Sequence, residues 1–177
     1  MARTSLPSRL KRLKRLLRHR WLDEDDTRKA IPPDMLKRLM LRVAASERRH
    51  SGEIRMCVEA SLPSSYIWRD ATPRERAVAM FGKLRVWDTS HNNGVLVYLL
   101  LAERAIEIVA DRALTHHVAP YEWTAMVQRM AGAFREDRFE DGLTQALEEV
   151  SALLVRHFPL APGEINTNEL PDEPVLG

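Results

Sequence analysis

Apolar residues recur along this chain with two periods, and the alternation between them outlines a fold. Leu6, Leu10, Leu13, Leu17 and Trp21 return every three or four positions, which predicts an amphipathic helix with one apolar stripe. Pro32-Pro33 opens a second helix whose inward face is Met35, Leu36, Leu39, Met40 and Val43, with Gly52 beyond its end. The stretch EIRMCVEA then changes period, setting Ile54, Met56, Val58 and Ala60 against Glu53, Arg55, Cys57 and Glu59 as a strand does. Thr72-Pro73-Arg74-Glu75 reads as a capping box with proline at the first helical position, so a helix is expected from about Pro73 to Trp87. The apolar run Val95 to Ala102 is short and rich in Val, Tyr and Leu, the signature of a strand covered on both faces, and AIEIVA follows as another strand. Two amphipathic helices come next, one led by Trp123, Met126, Val127, Met130 and Phe134, the other by Leu143, Leu147, Val150 and Leu154.

The order helix, strand, helix, strand, strand, helix, helix fixes the topology. Strands separated by a helix are expected to be parallel through a right-handed crossover, and the short link at Glu103-Arg104 makes the last pair an antiparallel hairpin. The predicted fold class is a three-layer α/β/α sandwich around a small mixed sheet. The expected division is a basic arm over 1–22, an acidic linker over 23–32, one α/β domain over 33–158, and a proline-bearing tail over 159–177 that is extended or disordered.

Charge changes the picture at one end only. The net charge of +2 hides eight Lys/Arg and no acid in residues 1–22, leaving 19 basic against 25 acidic groups elsewhere. Arguments for an anionic partner therefore concern the arm. Its leucine stripe favours an anionic membrane surface, or a protein partner, over nucleic acid, because nucleic-acid binding favours interleaved aromatics and the arm has only Trp21. The lone Cys57 excludes an internal disulfide and a cysteine metal cluster, and no apolar run approaches the roughly 20 residues of a membrane span. With no apolar signal core at the amino terminus, the expected location is the cytoplasm, peripheral at the inner face of the membrane.

The topology also gathers polar residues. His50 to Glu53 before the first strand, Asp88 to Gly94 before the second, and Asp111-Arg112 after the third fall on one rim of the sheet, while Glu103-Arg104 falls on the other. A rim of carboxylates, amides and an imidazole suits a hard cation, calcium or magnesium, and it is equally the composition of a set of solvated turns in which Asn93-Gly94 turns the chain and Asp88 caps local amides. His116-His117 are adjacent and cannot chelate as an i, i+4 pair does, and Cys57 reads as a buried thiol. No glycine-rich phosphate loop, nucleophile elbow or H-E-x-x-H motif is present.

The stretches SGEIRMCVEA, HNNGVLVYLLLAERAIEIVADRAL and FREDRFEDGLTQALEEV resemble the TPM domain family, named for a plant thylakoid lumen protein, a photosystem II repair factor and a nematode receptor modulator. The similarity covers about residues 35–158, and the chain looks like a soluble bacterial-type branch. The resemblance implies an α/β sandwich, and a function in one of three directions: weak acid phosphatase activity, calcium binding, or assembly and repair of membrane complexes. It places Asp88, Asn93 and Asp111 near the family's site positions. The chain departs from the family in having Ala110-Asp111-Arg112-Ala113 where many members have a glycine-rich turn. Two expectations follow. One is a non-enzymatic interaction module that its arm holds at an anionic surface. The other is a metal-assisted phosphatase in which Asp88, Asn93 and Asp111 hold the ion and Arg112 steadies the developing charge.

Overall fold

The middle strand dictates the architecture, because all six residues of VLVYLL are buried and need cover on both faces. The computed structural model describes residues 6–177, with side chains from Leu13 onward. Strands β1 (Ile54–Glu59) and β2 (Val95–Leu100) run parallel, and β3 (Ala105–Ala110) pairs antiparallel with β2. One face of the sheet presents Met56, Val58, Val97, Leu99 and Ile106 to α3 (Pro33–Glu47), α7 (Pro120–Arg135) and α8 (Phe139–His157). The other presents Cys57, Leu96, Tyr98 and Leu100 to α4 (Ser64–Trp68) and α5 (Pro73–Lys83), which form the crossover from β1 to β2. The expected α/β/α sandwich with a parallel crossover and an antiparallel hairpin is the observed fold.

Local chemistry sets the element ends. Thr72 Oγ1 accepts from the Glu75 N–H while Glu75 bonds back to the Thr72 N–H, closing the capping box at α5. That helix stops at Lys83, four residues short of the expected end, because Arg85 takes a left-handed φ of 56° and the Val86 N–H reaches back to Phe81 O at 3.0 Å. The acidic run expected as linker instead forms the short helix α2 (Glu24–Ala30), capped by the Asp23 side chain and carrying Glu24, Asp25 and Asp26 where the helix dipole favours acids. The hairpin turn is a 3₁₀ turn over Leu101–Glu103, closed by Arg104 at φ 48°.

The tail supplies a fourth strand absent from the sequence reading. After a proline-bearing strap that buries Leu170, β4 (Val175–Leu176) pairs parallel to the free side of β1, giving the order β3-β2-β1-β4. The strap is clasped by Arg55 on Pro171 O and Glu173 O and by Thr27 Oγ1 on Gly177 O.

Two glycines in this frame respond in opposite directions to the same substitution. A Cβ on Gly94 would sit 2.0 Å from Val86 O, a backbone atom that cannot step aside, so Gly94→Ala is expected to cost about 3 kcal/mol or more. Gly82 is exposed in a helix with open space around it, and Gly82→Ala should stabilise by about 0.5 to 1 kcal/mol. Chemical denaturation of the two variants checks both signs.

Candidate functional site

The start of β2 and the end of β3 build the rim together. Val95 N–H donates to Glu53 O and Asp111 N–H to Gly94 O, so three segments are stitched at one edge of the sheet. Asn92 is held at φ 52°, which turns its carbonyl to accept from the Ala113 N–H at 3.1 Å. Asp111 caps the short helix α6 (Arg112–Thr115) by accepting the Arg112 N–H on Oδ1 at 2.6 Å, and Arg112 Nη2 donates to Asn92 Oδ1 at 3.0 Å. Asn93 is fully buried and gives Nδ2 to Ser51 Oγ at 3.3 Å. Asn93 Oδ1 and Asp111 Oδ2 are buried without a protein partner.

The rim thus brings Asn93, Asp111 and Arg112 together with Asn92 and Ser51. Asp88 is placed differently: its carboxylate is exposed and lies 3.8 Å from Arg85 Nε, on the loop that α5 leaves behind. His91, on the same loop, is exposed. His117 stacks on His157 with centroids 4.8 Å apart. Cys57 is buried and its thiol is pushed up to about 12 by loss of hydration, an inert state. Among the described residues no three His, Cys, Asp or Glu side chains gather as a metal site.

A second cluster on this rim joins Glu47 of α3 to Glu53 and His50. Glu47 Oε1 accepts the Ile54 N–H at 2.7 Å, and Glu53 Oε2 accepts the Leu170 N–H at 3.1 Å; both side chains are buried. Burial is the main cause that pushes the Glu47 carboxyl up to about 9, with Glu53 and Asp172 adding to it. Its second oxygen, Oε2, is buried without a protein partner, and the Glu47 and Asp172 side chains line a cleft of about 520 Å³ between α3 and the tail. His50, also buried, is pushed down to about 4 by burial and is held as the neutral ring between Gly52 O and Ser46 Oγ. The signal available in the sequence was Glu47 itself, an acid standing at i+4 and i+8 from Val43 and Leu39 on the apolar face of α3.

The opposite rim holds the arm. In α1 (Leu6–Arg20), Arg15 Nε donates to Glu103 Oε1 at 2.7 Å and Nη1 to Asp70 at 3.0 Å. The Leu62 N–H donates to His19 Nδ1 at 3.0 Å, so the ring proton sits on Nε2 and is given to Glu103 Oε1 at 2.9 Å. Leu16 packs between them against the α5 layer. The docked face is therefore Arg15, Leu16 and His19, and the predicted stripe points away: Leu13 and Leu17 are about half exposed and Trp21 is 80% exposed. The side chains of Leu6 and Leu10 lie outside the described residues.

A mixed sheet with helices on both faces is a fold this chain shares with solved structures. The fold matches the BA42 protein of the psychrophilic bacterium Bizionia argentinensis, with TM-score 0.71 and 24% identity over 83% of this chain and 95% of that one. It also matches the N-terminal domain of a protein from P. gingivalis, with TM-score 0.58 and 18% identity over 74% of this chain and 83% of that one. Residues 25–153 match the TPM domain, and the chain belongs to that family. No curated protein matches it.

The carboxyl cluster makes stability depend on pH. In the unfolded chain Glu47 ionises near pH 4.5, while the folded carboxyl keeps its proton to about 9, so the folded state holds an extra proton and stability falls as pH rises between those values. His50 acts in another window, where stability is lost as pH falls from 6.5 toward 4. Between pH 7 and 9 the wild type should lose up to about 1.4 kcal/mol per pH unit, and Glu47→Gln, whose amide oxygen can still accept the Ile54 N–H, should remove that slope. Urea midpoints across this range check it.

Proposed function

We propose that the protein is a non-enzymatic interaction and assembly module that its basic arm holds at an anionic membrane surface. One observation carries this reading. The arm is clamped to the body through Arg15 and His19, and the stripe of Leu13, Leu17 and Trp21 faces outward beside the exposed cations Lys14, Arg18 and Arg20. A helix needing only to pack on the body would turn its leucines inward. A basic amphipathic helix seated in a lipid interface gains from burial of the apolar face and about 1 kcal/mol for each cation near anionic lipid. Among the described residues no helix is long and apolar enough to cross a membrane, so the arm is the element that this reading uses. Co-sedimentation with vesicles tests it. Binding should prefer anionic over neutral lipid and fall at least about tenfold in Leu13→Glu/Leu17→Glu, a variant that leaves the docked face intact. Equal binding by variant and wild type removes the stripe from the account.

A second reading rests on the two unpartnered oxygens at the other rim. Asn93 Oδ1 and Asp111 Oδ2 suit a hard cation by donor type, whereas Asp88, exposed beside Arg85, is not built into the same pocket. A calcium or magnesium ion there would polarise a phosphoryl oxygen, with Arg112, tethered to Asn92, at hand for the developing charge. Calcium titration followed by amide NMR should then shift Asn93 and Asp111, the shifts should vanish in Asp111→Asn, and p-nitrophenyl phosphate hydrolysis should fall with them. Titration without shifts at these residues sets the phosphatase reading aside.

A further inference from the structure

We propose that the outer edge of β3 accepts an extended segment of a partner protein as a fifth strand, apolar toward α7 and acidic toward Arg74; the proposal rests on the interaction-module reading. Hydrogen bonding decides which groups face outward. Val95 N–H bonds to Glu53 O on the β1 side, and Asp111 N–H bonds to Gly94 O on the β3 side. With Val95 opposite Ala110 in an antiparallel register, Ala105, Glu107 and Val109 bond to β2, and Ile106, Ile108 and Ala110 turn their N–H and C=O groups away from it. Among the described residues β3 closes the sheet on that side with no strand beyond it. One outward group is occupied, in keeping with that phase: Arg74 Nη1 donates to Ile108 O.

This edge is sunk in a groove. A cavity of about 420 Å³ runs beside Ile108 and Ala110, walled by Arg74 and Glu107 on the α5 side and by Trp123 and Val127 on the α7 side. An open edge is usually blunted by a charge or covered, because unpaired backbone groups invite another strand. Here one arginine blunts it, and that arginine is half exposed, holding Glu107 only loosely at 3.7 Å. Of its five N–H donors, those not used on Ile108 O remain for an incoming carboxylate. Trp123 and Val127 give the alternate side chains of an added strand an apolar wall, which is how strand addition combines backbone affinity with side-chain selection. The walls also select the kind of occupant. A second copy would bring its own α5 and α7 to the same edge, above and below its β3, and these would meet the helices already there. A single extended segment carries no such layers.

The experiment uses the full chain and the blocked peptide acetyl-SVDVDVS-amide, with two controls: the same peptide N-methylated at its valines, and a version with lysine for both aspartates. Amide hydrogen exchange is read by NMR at millimolar peptide. The expected result is exchange slowed by about tenfold or more at Ile106, Ile108 and Ala110, with Glu107 and Val109, already bonded to β2, unchanged. The N-methylated and lysine peptides should bind about tenfold more weakly, and Arg74→Glu should reverse the preference between aspartate and lysine. Absence of protection at the three outward amides, or equal protection by the N-methylated peptide, overturns the proposal. So does protection that appears without peptide and grows with protein concentration, which would assign the edge to a second copy. Peptide shifts confined to α1 or to the Asp111 rim would end the edge proposal and leave the interaction reading standing. Loss of that reading would show instead as no peptide shift anywhere together with no vesicle binding.

Discussion

Complete burial of β2 is the constraint on which the rest depends. A strand with Val95, Val97 and Leu99 on one face and Leu96, Tyr98 and Leu100 on the other cannot lie at a surface, so the chain must put a strand on each side and helices above and below. The crossover that makes β1 parallel places the starts of β1 and β2 and the end of β3 on one rim. The hairpin sends Glu103 to the other. Both candidate surfaces are products of that single decision: the amide and carboxylate rim at Asn93 and Asp111, and the acceptor at Glu103 on which the arm docks.

Buried polar groups are handled in two ways, and the contrast explains their different roles. Glu59 is buried against a cation: its Oε2 accepts from Tyr98 Oη at 2.7 Å and from Arg76 Nε at 2.8 Å, and Arg76 in turn lies over the Tyr66 ring. Such a pair ties α5 to the sheet, and removal of one partner from a buried pair typically costs about 3 to 5 kcal/mol. Glu47 has no cation and is kept neutral instead, chiefly by burial, with Glu53 and Asp172 adding to the upward push. The first device joins two elements through opposite charges. The second joins α3 to the start of β1 without a cation, through the Ile54 N–H on Glu47 Oε1.

Much of this was legible in the sequence because it is written in short range. Alternation in EIRMCVEA, the capping box at Thr72 and the compact link at Arg104 give strands, crossover and hairpin, and with them the shared rim of Glu53, Asn93 and Asp111. What stayed hidden depends on distant partners. β4 is two residues long, and its pairing exists only because β1 leaves an edge open more than a hundred positions earlier in the chain. The acidic run at Asp23 has linker composition, yet its first residue is a good helix cap. Asp88 was grouped with Asp111 by loop position, but α5 ends early and its last turn brings Arg85 to it. In the arm, the leucine period pointed to one stripe and could not tell that the docked face is the neighbouring one, since Arg15 and His19 find Glu103 and Leu62 only in the folded chain.

The fixed orientation of the arm is the claim on which the membrane reading turns, and the Leu62 amide reports it directly. That N–H is bonded to His19 Nδ1 and to nothing in the body of the domain. Its hydrogen exchange should be slow in the full chain and at least about tenfold faster in a chain that begins at Asp23, with exchange in β2 unchanged. Equal rates at Leu62 in the two proteins would contradict the account, because an arm that does not dock through His19 has no outward face to present.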